Sequence, residues 1–478
     1  MNHPPSPTKS HRAAFPPPRF SNPNSHHSSQ SNSNGRGHSY DEWGNRNSRS
    51  HSHDEDVGGW RETFYNGGLG RILFSTASGW QFFIRILVLW LWAAGIGLTI
   101  ANRTVLWSAY LENSYTSYTR LLYLLAGAHN FPYPITTMYL QLVMAHGWLL
   151  LWASFTRLLG PFLRGAGCAG MIAPSDALYS SGHGSREKES GNGASRSTSR
   201  SFGGIAGGGI FEFDLPTAKQ VMPLALIFVA KTIFSTISST YAQFPVYVLC
   251  QVGMVPLSLL ITSIMGTEHH WFIAFSSLMA TLGLAASIYH PNICFSWGSM
   301  LAGILSSFFV ALYPVQILRI YKSLLKSLVP QGDILSTRPS KSSPADFSGS
   351  KEEARAYWRL LHYTSLLSII ILTPIVILSG ELPSFWRNHN AFDVYFYWLM
   401  LVCGSLASWA LFFGTVALTR ATSPLTTTFL FVFESSLILA IMIGKRLPPR
   451  SWAALGFCWM NCVLFALRRW VEERERFK

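Results

Sequence analysis

The apolar runs of this sequence are the feature that most restricts how the chain can fold. One run leads from the Ser423-Pro424 turn to Gly444, and another follows the short basic loop Lys445–Arg450 and ends near Leu467. Each has about the 20 residues that an α-helix needs to cross the hydrocarbon core of a bilayer. We therefore predict a membrane hairpin. Glu434 lies near the middle of the first run, at a depth where an acidic residue is costly and commonly functional.

Eight further apolar runs precede the hairpin, so we predict ten membrane helices. The eight lie at about 81–101, 134–158, 220–241, 245–265, 270–289, 297–320, 360–379 and 395–418. The amino-terminal segment lacks the apolar core of a signal peptide, so we place it in the cytosol. With ten helices the loops after helices two and six and the final tail also face the cytosol. These segments hold most of the Lys and Arg residues, as the positive-inside rule requires, and the short loop 445–450 is the exception.

The polar segments complete the predicted organisation of the chain. Segments rich in Ser, Gly, Asn, His and Pro cannot bury enough apolar surface to fold. The predicted division is 1–58 disordered cytosolic tail, 59–80 interfacial segment, 81–163 helices one and two, 164–215 disordered Gly/Ser linker, 216–326 helices three to six, 327–356 basic cytosolic loop, 357–468 helices seven to ten, and 469–478 charged cytosolic tail.

The charge and the reactive side chains exclude several classes of function. The net charge of +14 is spread over short segments beside apolar runs, which is typical of a membrane protein and not of a nucleic-acid-binding protein. None of the six cysteines has another metal-ligating residue at the spacing typical of a metal site. No paired acids, His-Glu-x-x-His motif or activated nucleophile stands out. We therefore expect no enzyme activity, no catalytic residue, no metal site and no cofactor.

A weak internal repeat indicates how the ten helices are arranged. Helices four and nine share a first proline, a last glycine and a tryptophan that opens the next helix: Pro245 and Pro424, Gly266 and Gly444, Trp271 and Trp452. Units five helices apart must insert upside down relative to each other. We therefore predict an all-α membrane protein of ten helices in two inverted five-helix repeats. Helix-end signals alone would explain each of these residues singly, but less easily their shared order.

Several short motifs resemble one family of membrane carriers. Asn102-Arg103 at the end of helix one resembles the family's Asn-Lys, and Phe131–Pro134 with Gln141 is similar to its Phe-Pro-x-Pro entrance to helix two. The remaining matches are Tyr241, Pro245 and Pro256 around helix four, Ser306-Ser307 in helix six, and Ser423-Pro424-Leu425-Thr426 at the start of helix nine. Over residues 80–470 without the linker, the chain resembles a divergent member of the triose-phosphate and nucleotide-sugar transporters of the drug/metabolite transporter superfamily.

The resemblance implies both a function and a set of binding residues. It implies an antiporter-like secondary transporter, working by alternating access, for a nucleotide sugar or sugar phosphate. Its place would be a Golgi or endoplasmic reticulum membrane, with both termini cytosolic. Its partners would be the solute and the lipid membrane, with a homodimer as an option. The expected substrate-binding residues are Asn102, Arg103, Lys231, Tyr241, Tyr247, Gln251, Thr426 and Glu434.

The chain also departs from the family's pattern. The family usually has a lysine in helix four, where this chain has Gln251, and a lysine in helix nine, where it has Glu434. Lys231 supplies a cation in helix three instead. Three functions stay open: a carrier of the family's solutes, a carrier of another organic solute, and a non-transporting membrane scaffold or regulator. We expect Lys231 and Glu434 to pair directly or, if too far apart for contact, to hold opposite ends of a polar solute.

Overall fold

A computed structural model describes residues 70, 73, 77–107, 133–166, 168, 171–174, 213–241, 244–266, 270–288, 297–328, 351–387, 395–444 and 447–476. Across these ranges the chain forms helices and no β-strand. The helices are α1 (Ala77–Trp107), α2 (Pro134–Leu158), α3 (Gly160–Gly165), α4 (Leu215–Tyr241), α5 (Phe244–Val252), α6 (Met254–Ile264), α7 (Trp271–Ile288), α8 (Trp297–Leu328), α9 (Lys351–Leu378), α10 (Glu381–Arg387), α11 (Tyr395–Ala421), α12 (Pro424–Ile443) and α13 (Pro449–Arg476).

The predicted all-α membrane architecture is confirmed. In the described part of the chain, 10 spans are long and apolar enough to cross a bilayer. They are, in order, α1, α2, α4, α5 continuing into α6, α7, α8, α9, α11, α12 and α13. The two short helices, α3 and α10, follow directly on α2 and α9.

Several helices are longer than the apolar runs from which we predicted them. The sixth helix was expected to end near residue 320 but α8 continues to Leu328, and the seventh was expected from about residue 360 but α9 begins at Lys351. Six basic residues that we expected in the loop between them therefore lie on helices: Arg319, Lys322 and Lys326 on α8, and Lys351, Arg355 and Arg359 on α9. The hydrocarbon core limits only the apolar part of a helix, and Lys and Arg are good helix formers beyond it.

Other predicted segments cannot be compared with the structure. The tail 1–58 and most of the interfacial segment 59–80 and of the linker 164–215 lie outside the described residues, although α1 already begins at Ala77 within the predicted interfacial segment. The same holds for Lys445 and Arg446 of the hairpin loop. These assignments stay predictions.

The hairpin entrance is a capped helix start. The Ser423 side chain accepts a hydrogen bond of 3.2 Å from the backbone N–H of Thr426, and Pro424 occupies the first turn of α12. Ser at the N-cap and Pro in the first turn both satisfy the constraints of a helix start, where backbone N–H groups lack helical partners. The Arg469 guanidinium of α13 donates to the same Ser423 hydroxyl over 2.6 Å. The cap thus joins α12 to the end of α13.

The fourth span is broken between α5 and α6. At the break the Gly253 N–H donates to the Cys250 carbonyl over 3.4 Å, and the Ser307 hydroxyl of α8 donates to the same carbonyl. Gly303 of α8 lies so close that an added Cβ would be 2.6 Å from the Cys250 side chain and 2.8 Å from the Ser238 hydroxyl of α4. The bend of the fourth span is therefore held by a close crossing with α8.

The helices pack in a regular set of pairs. The most extensive contacts join α4 with α8, α1 with α11, and α7 with α13. Next come α2 with α11 and α4 with α9. Two buried apolar clusters follow from this packing. One contains Leu224, Tyr313 and Trp358, and the other contains Val255, Leu284 and Phe429. Polar side chains of α1, α4, α5 and α12 meet between them.

Candidate functional site

Two charged side chains lie at the middle of membrane-spanning helices. Lys231 is sixteen residues beyond Leu215 in the 27-residue α4, and Glu434 is ten residues beyond Pro424 in the 20-residue α12. Ionisable groups at this depth face the bundle interior or a polar cavity, because lipid cannot solvate them. Their position makes this part of the bundle the candidate site.

Lys231 projects over aromatic rings. Its Nζ lies 4.6 Å from the centroid of the Tyr313 ring and 5.7 Å from that of Phe228. The face of an aromatic ring carries partial negative charge, so it stabilises an ammonium group without neutralising it. Lys231 is half-buried, as are the residues that follow it on α4 up to Ile237. The ammonium group thus keeps its donors for another partner.

Glu434 is held between α12 and α1 without a hydrogen bond. Its side chain is only 9% exposed, and its carboxylate lies directly against Gly95 of α1, where an added Cβ would overlap it. The adjacent Trp92 and Phe433 rings pack with centroids 4.4 Å apart and fix the crossing of the two helices. Among the described residues, no donor lies within hydrogen-bond distance of this carboxylate. A buried carboxylate of this kind is costly unless something binds it.

Lys231 and Glu434 do not form a direct ion pair. They are close enough to interact electrostatically. The ion pairs found among the described residues, with nitrogen–oxygen distances of 4.0 Å or less, are Arg420–Glu353, Arg468–Glu472 and Arg469–Glu472. The expected direct contact is therefore wrong for this conformation. The other arrangement we predicted, in which the two charges hold opposite ends of a polar solute, stays a prediction.

A third charge and two polar side chains extend the site towards the end of α1. Arg103 lies within electrostatic range of the Tyr247 hydroxyl, and Tyr247 is within range of Glu434. The Tyr247 hydroxyl is also 3.2 Å from the Ser235 hydroxyl, and it interacts with the Gln251 side chain. We call Arg103, Lys231, Tyr247, Gln251 and Glu434 the central cluster. Its formal charge is +1, from two cations and one anion.

The remaining predicted site residues lie at other places. Asn102 accepts a 2.7 Å hydrogen bond from the Gln141 side-chain nitrogen, so it joins α1 to α2 beside Arg103. Thr426 is part of the α12 cap, with its hydroxyl 2.9 Å from that of Ser423, and is eight residues before Glu434. The Tyr241 side chain lies outside the described residues. The structure therefore brings five of the eight predicted residues together.

Sequence reasoning missed residues that shape the site. Gly95 gives α12 room to bring its carboxylate against α1, Tyr313 supports the Lys231 ammonium group, and Ser235 binds Tyr247. Only Ser235 could have been found from the sequence, because it is four residues after Lys231 and therefore lies on the same face of α4. A glycine among apolar residues and a tyrosine beside Pro314 give no such signal before the helix crossings are known.

The arrangement suits binding of a polar solute. In the described ranges no group of three or more His, Cys, Asp or Glu side chains could hold a metal ion. The central cluster presents an ammonium and a guanidinium as donors, one carboxylate as an acceptor, and phenol and amide groups that can do both.

No family model matches the chain. A curated relative, the GDP-fucose transporter 1 of Dictyostelium discoideum, is similar to it, with 26% identity over 219 residues. The match covers 46% of this chain and 51% of the relative, so the chain spans about half the length of that relative. This similarity agrees at a coarse level with the resemblance to nucleotide-sugar transporters.

Proposed function

We propose that this protein is a secondary carrier for a nucleotide sugar or a sugar phosphate, and that it moves its solute by alternating access. The observation that carries the proposal is the central cluster: Lys231 and Glu434 lie in the middle of their spans without a hydrogen bond or ion pair among the described residues, and Arg103 lies near the end of the first span. Charges left free at this depth are expected where a polar solute replaces water.

The charge balance of the cluster supports an anionic solute. Arg103 and Lys231 together outweigh Glu434, so the site attracts phosphate groups and the single carboxylate limits that attraction. In a poorly hydrated site such interactions amount to about 4 kcal/mol per pair of charges 4 Å apart. The similarity to a protein described as a GDP-fucose transporter supports a nucleotide sugar among the anionic solutes.

The helix pairs support an inverted-repeat mechanism. We number the spans one to ten. The first span packs on the eighth, and the third packs on the sixth. Adding five to each number, and counting on from one after ten, turns the first of these pairs into the second. The second and eighth spans and the seventh and third spans form another such pair of contacts. In carriers built from two inverted repeats the binding site lies at the midplane between the repeats, and Lys231 and Glu434 come from the third and ninth spans, one in each proposed repeat.

A transport assay in proteoliposomes tests the proposal. Purified full-length chain would be reconstituted and loaded with GMP, UMP, CMP or phosphate, and uptake of labelled GDP-, UDP- and CMP-sugars and of triose phosphate measured. We expect exchange of at least one nucleotide sugar, abolished in the Arg103→Ala, Lys231→Ala double variant. No exchange with any solute, or uptake unchanged in that variant, would contradict the proposal.

One observation favours a second candidate, a carrier of another organic solute. The carboxylate of Glu434 stands where the resembled family has a phosphate-binding lysine, and it suits a solute with its own donor groups. The same liposomes distinguish the two candidates, since uptake of amine-bearing solutes with no response to nucleotide sugars would favour the second.

The membrane orientation and location belong to the proposal as well. Both termini are proposed to face the cytosol of a Golgi or endoplasmic reticulum membrane, because with ten spans most of the basic segments, though not the loop 445–450, would fall on the cytosolic side. Protease accessibility of tags at residues 1 and 478 in sealed vesicles, with colocalisation by microscopy, tests both points. Protection of either tag would contradict the orientation.

A further inference from the structure

Two histidines that the proposed site does not use lie next to each other inside the bundle. The ring centroids of His146 on α2 and His362 on α9 are 5.5 Å apart, and the ring planes are tilted by 37°. We propose that these two imidazoles form a proton-binding site, and that the carrier moves a proton together with its solute. The inference rests on the proposed function and adds the ion to which transport is coupled.

Both histidines lie inside membrane spans. His146 is twelve residues from either end of α2, and His362 is nine residues after Glu353, where the seventh span begins. His362 is 1% exposed and His146 is half-buried. Ionisable residues within spans are rare, and histidines there are typical of proton relays. Imidazole is also the side chain that ordinarily gains or loses a proton between about pH 5 and 8.

A structural contact between α2 and α9 needs only one of the two rings. His146 Nδ1 lies 3.0 Å from the Ser365 hydroxyl of α9, and this hydrogen bond already joins the two helices. The second imidazole places another nitrogen base beside the first. Two neighbouring imidazoles can share one proton, whereas a second proton would be repelled by the charge of the first. The pair is therefore suited to bind a single proton.

Other titratable and charged groups lie on the helices around the pair. The helices packed against α2 and α9 are α3, α4, α8, α10 and α11. In the described ranges, the buried and half-buried groups are Tyr139 and Arg157 on α2, Lys231 on α4, Tyr313 and Tyr321 on α8, Glu353, Arg355, Tyr357, Arg359 and Tyr363 on α9, Glu381 on α10, and Tyr397 and Arg420 on α11. Phenols and basic side chains ordinarily titrate above pH 8 and carboxylates below pH 5, so the ordinary range of the two imidazoles is separate from theirs. Arg359, one turn before His362, adds a positive charge that disfavours a second proton on the pair.

Ser365, the partner of His146, also lines a small cavity. The cavity is shared with Ser408 of α11 and Phe228 of α4, and it has room for about one water molecule. The centroid of the Phe228 ring lies 5.7 Å from the Lys231 ammonium nitrogen. Through Ser365 and Phe228, the histidine pair is therefore a neighbour of the central cluster.

This neighbourhood gives the proton an effect on solute binding. The central cluster has a formal charge of +1, and a proton on the pair adds one more positive charge near it. The larger charge attracts an anionic solute more strongly. Because the coupling between two binding sites is reciprocal, the bound anion also favours the proton. Proton and solute therefore bind together and cross the membrane in the same direction.

The two histidines belong to helices that correspond in the proposed repeats. α2 is the second span and α9 the seventh, and spans five apart are equivalent in two inverted five-helix repeats. When the repeats rock against each other, the contact between α2 and α9 changes, and with it the access of water to the rings. A site whose proton affinity differs between two conformations takes up a proton from water on one side of the membrane and returns it to water on the other.

Proton movement in proteoliposomes tests the coupling directly. The full-length protein would be reconstituted with a pH-sensitive dye inside the vesicles and the membrane potential clamped, and GDP-, UDP- and CMP-sugars added outside. We expect uptake of the solute to acidify the interior. We also expect the solute to bind about 10-fold more tightly at pH 5 than at pH 8, the usual size of coupling between two sites.

Matched histidine variants locate the proton. In the His146→Gln, His362→Gln double variant the ratio of affinities at the two pH values should fall to about one, because a glutamine amide does not take up a proton in this range. The control is His270→Gln. His270 precedes α7 and lies 3.2 Å from Arg468, at an exposed position, and its replacement should keep the ratio.

Histidine signals in nuclear magnetic resonance give an answer that does not depend on transport. The full-length protein would be labelled at the histidine ring carbons, placed in lipid nanodiscs and titrated between about pH 5 and 8. We expect the signals of His146 and His362 to change in one joint step, because two rings that share a proton titrate as a pair. Each single histidine-to-glutamine variant should alter the step of the other ring.

The outcomes separate this inference from the proposed function. Solute uptake that leaves the internal pH unchanged would overturn proton coupling and leave the carrier intact. Histidine signals that stay constant over the titration, or that change independently of each other, would overturn the proton site. A joint step in a protein that takes up no solute would support the proton site and contradict the proposed function. The internal pH is measured on the unchanged protein, so misfolding of a variant cannot hide the result.

Discussion

The charged residues in the middle of the bundle differ from those at its end in whether they form a direct ion pair. Near the end where α9 begins and α11 finishes, Arg420 donates to Glu353 over 2.6 Å and lies 5.2 Å from the Tyr321 ring. We call Arg420, Glu353, Tyr321 and Tyr357 the terminal cluster. In the central cluster, by contrast, Lys231 and Glu434 form no direct ion pair.

The difference separates charges that stabilise the fold from charges that we propose to bind the solute. At the end of a bundle, two long side chains can find each other and still reach water, so a direct pair is inexpensive. At the midplane an unpaired charge costs about 2.5–3.5 kcal/mol even on the gentler insertion scale. A sequence that leaves two of them apart at that depth gives up stability, as is typical of functional sites.

The largest effect is expected from neutralising one central charge. Lys231→Met or Glu434→Gln leaves the other charge buried and without its opposite, so each single variant should lose nearly all transport and about 1–3 kcal/mol of stability. The double variant should recover most of the stability but not the transport. Uptake in proteoliposomes and melting of the purified proteins measure the two effects. Stability losses that simply add would show that the two charges are independent.

The next largest effect should come from Gly95→Ala, and it should fall on function alone. The new Cβ would occupy the space of the Glu434 carboxylate, which sits at the end of a flexible side chain and can be displaced without breaking α1 or α12. We expect a loss of nucleotide affinity of about 10-fold or more with a nearly unchanged melting temperature. Gly97→Ala on the same helix is the control, and an equal loss there would point to a general effect on α1.

The terminal cluster should show the reverse behaviour. Arg420→Ala removes a pair whose side chains are only 14% and 29% exposed, together with the ring contact to Tyr321. We expect about 1–3 kcal/mol less stability, since a partly buried acid loses its partner, and an unchanged affinity for nucleotides. A melting curve and a titration on the same preparation give both numbers. A large fall in affinity would remove the distinction between the two clusters.

The smallest effect is expected from Arg468→Ala on α13. Arg468 and Glu472 are 3.9 Å apart, and Arg468 is 35% exposed, so water and salt screen the pair. The change in stability should stay below about 0.5 kcal/mol and transport should be unchanged. It therefore serves as the baseline for Arg420→Ala in the same melting assay. A change as large as that of Arg420→Ala would mean that any loss of charge at this end destabilises the bundle.

The sequence predicted the spans well because their signal is strong. Ten apolar runs bounded by Pro, Gly and basic residues were enough to place all ten helices, and α2 agrees with its predicted bounds of 134–158. The common depth of Lys231 and Glu434 stays a prediction, since α4 begins at Leu215 and not near residue 220, which puts Lys231 sixteen residues from its helix start against ten for Glu434. Helix ends were less accurate, since α9 begins nine residues earlier than its apolar run. Charged residues mark the edge of the bilayer and not the end of a helix.

The side-chain contacts of the site were beyond sequence reasoning. Whether Lys231 touches Glu434 depends on the distance between α4 and α12, and that distance is set by crossings far apart in the chain. Thr426 shares the motif Ser-Pro-Leu-Thr with the resembled family, yet its hydroxyl lies in the α12 cap with Ser423. A motif indicates which residue types recur, while only helix packing decides which of them face a common cavity.

The close helix crossing at Gly303 lies much nearer to one end of α8 than to the other. From that glycine α8 extends six residues to Trp297 and twenty-five to Leu328, or about 9 Å and 38 Å at 1.5 Å per residue. Because Cys250 and Ser238 pack against Gly303, we expect any tilt of α8 to pivot at this crossing. A tilt of about 10° would then displace the short end by about 2 Å and the long end by about 7 Å. Opening would be wide at the end that carries Lys322 and Lys326, and narrow at the other.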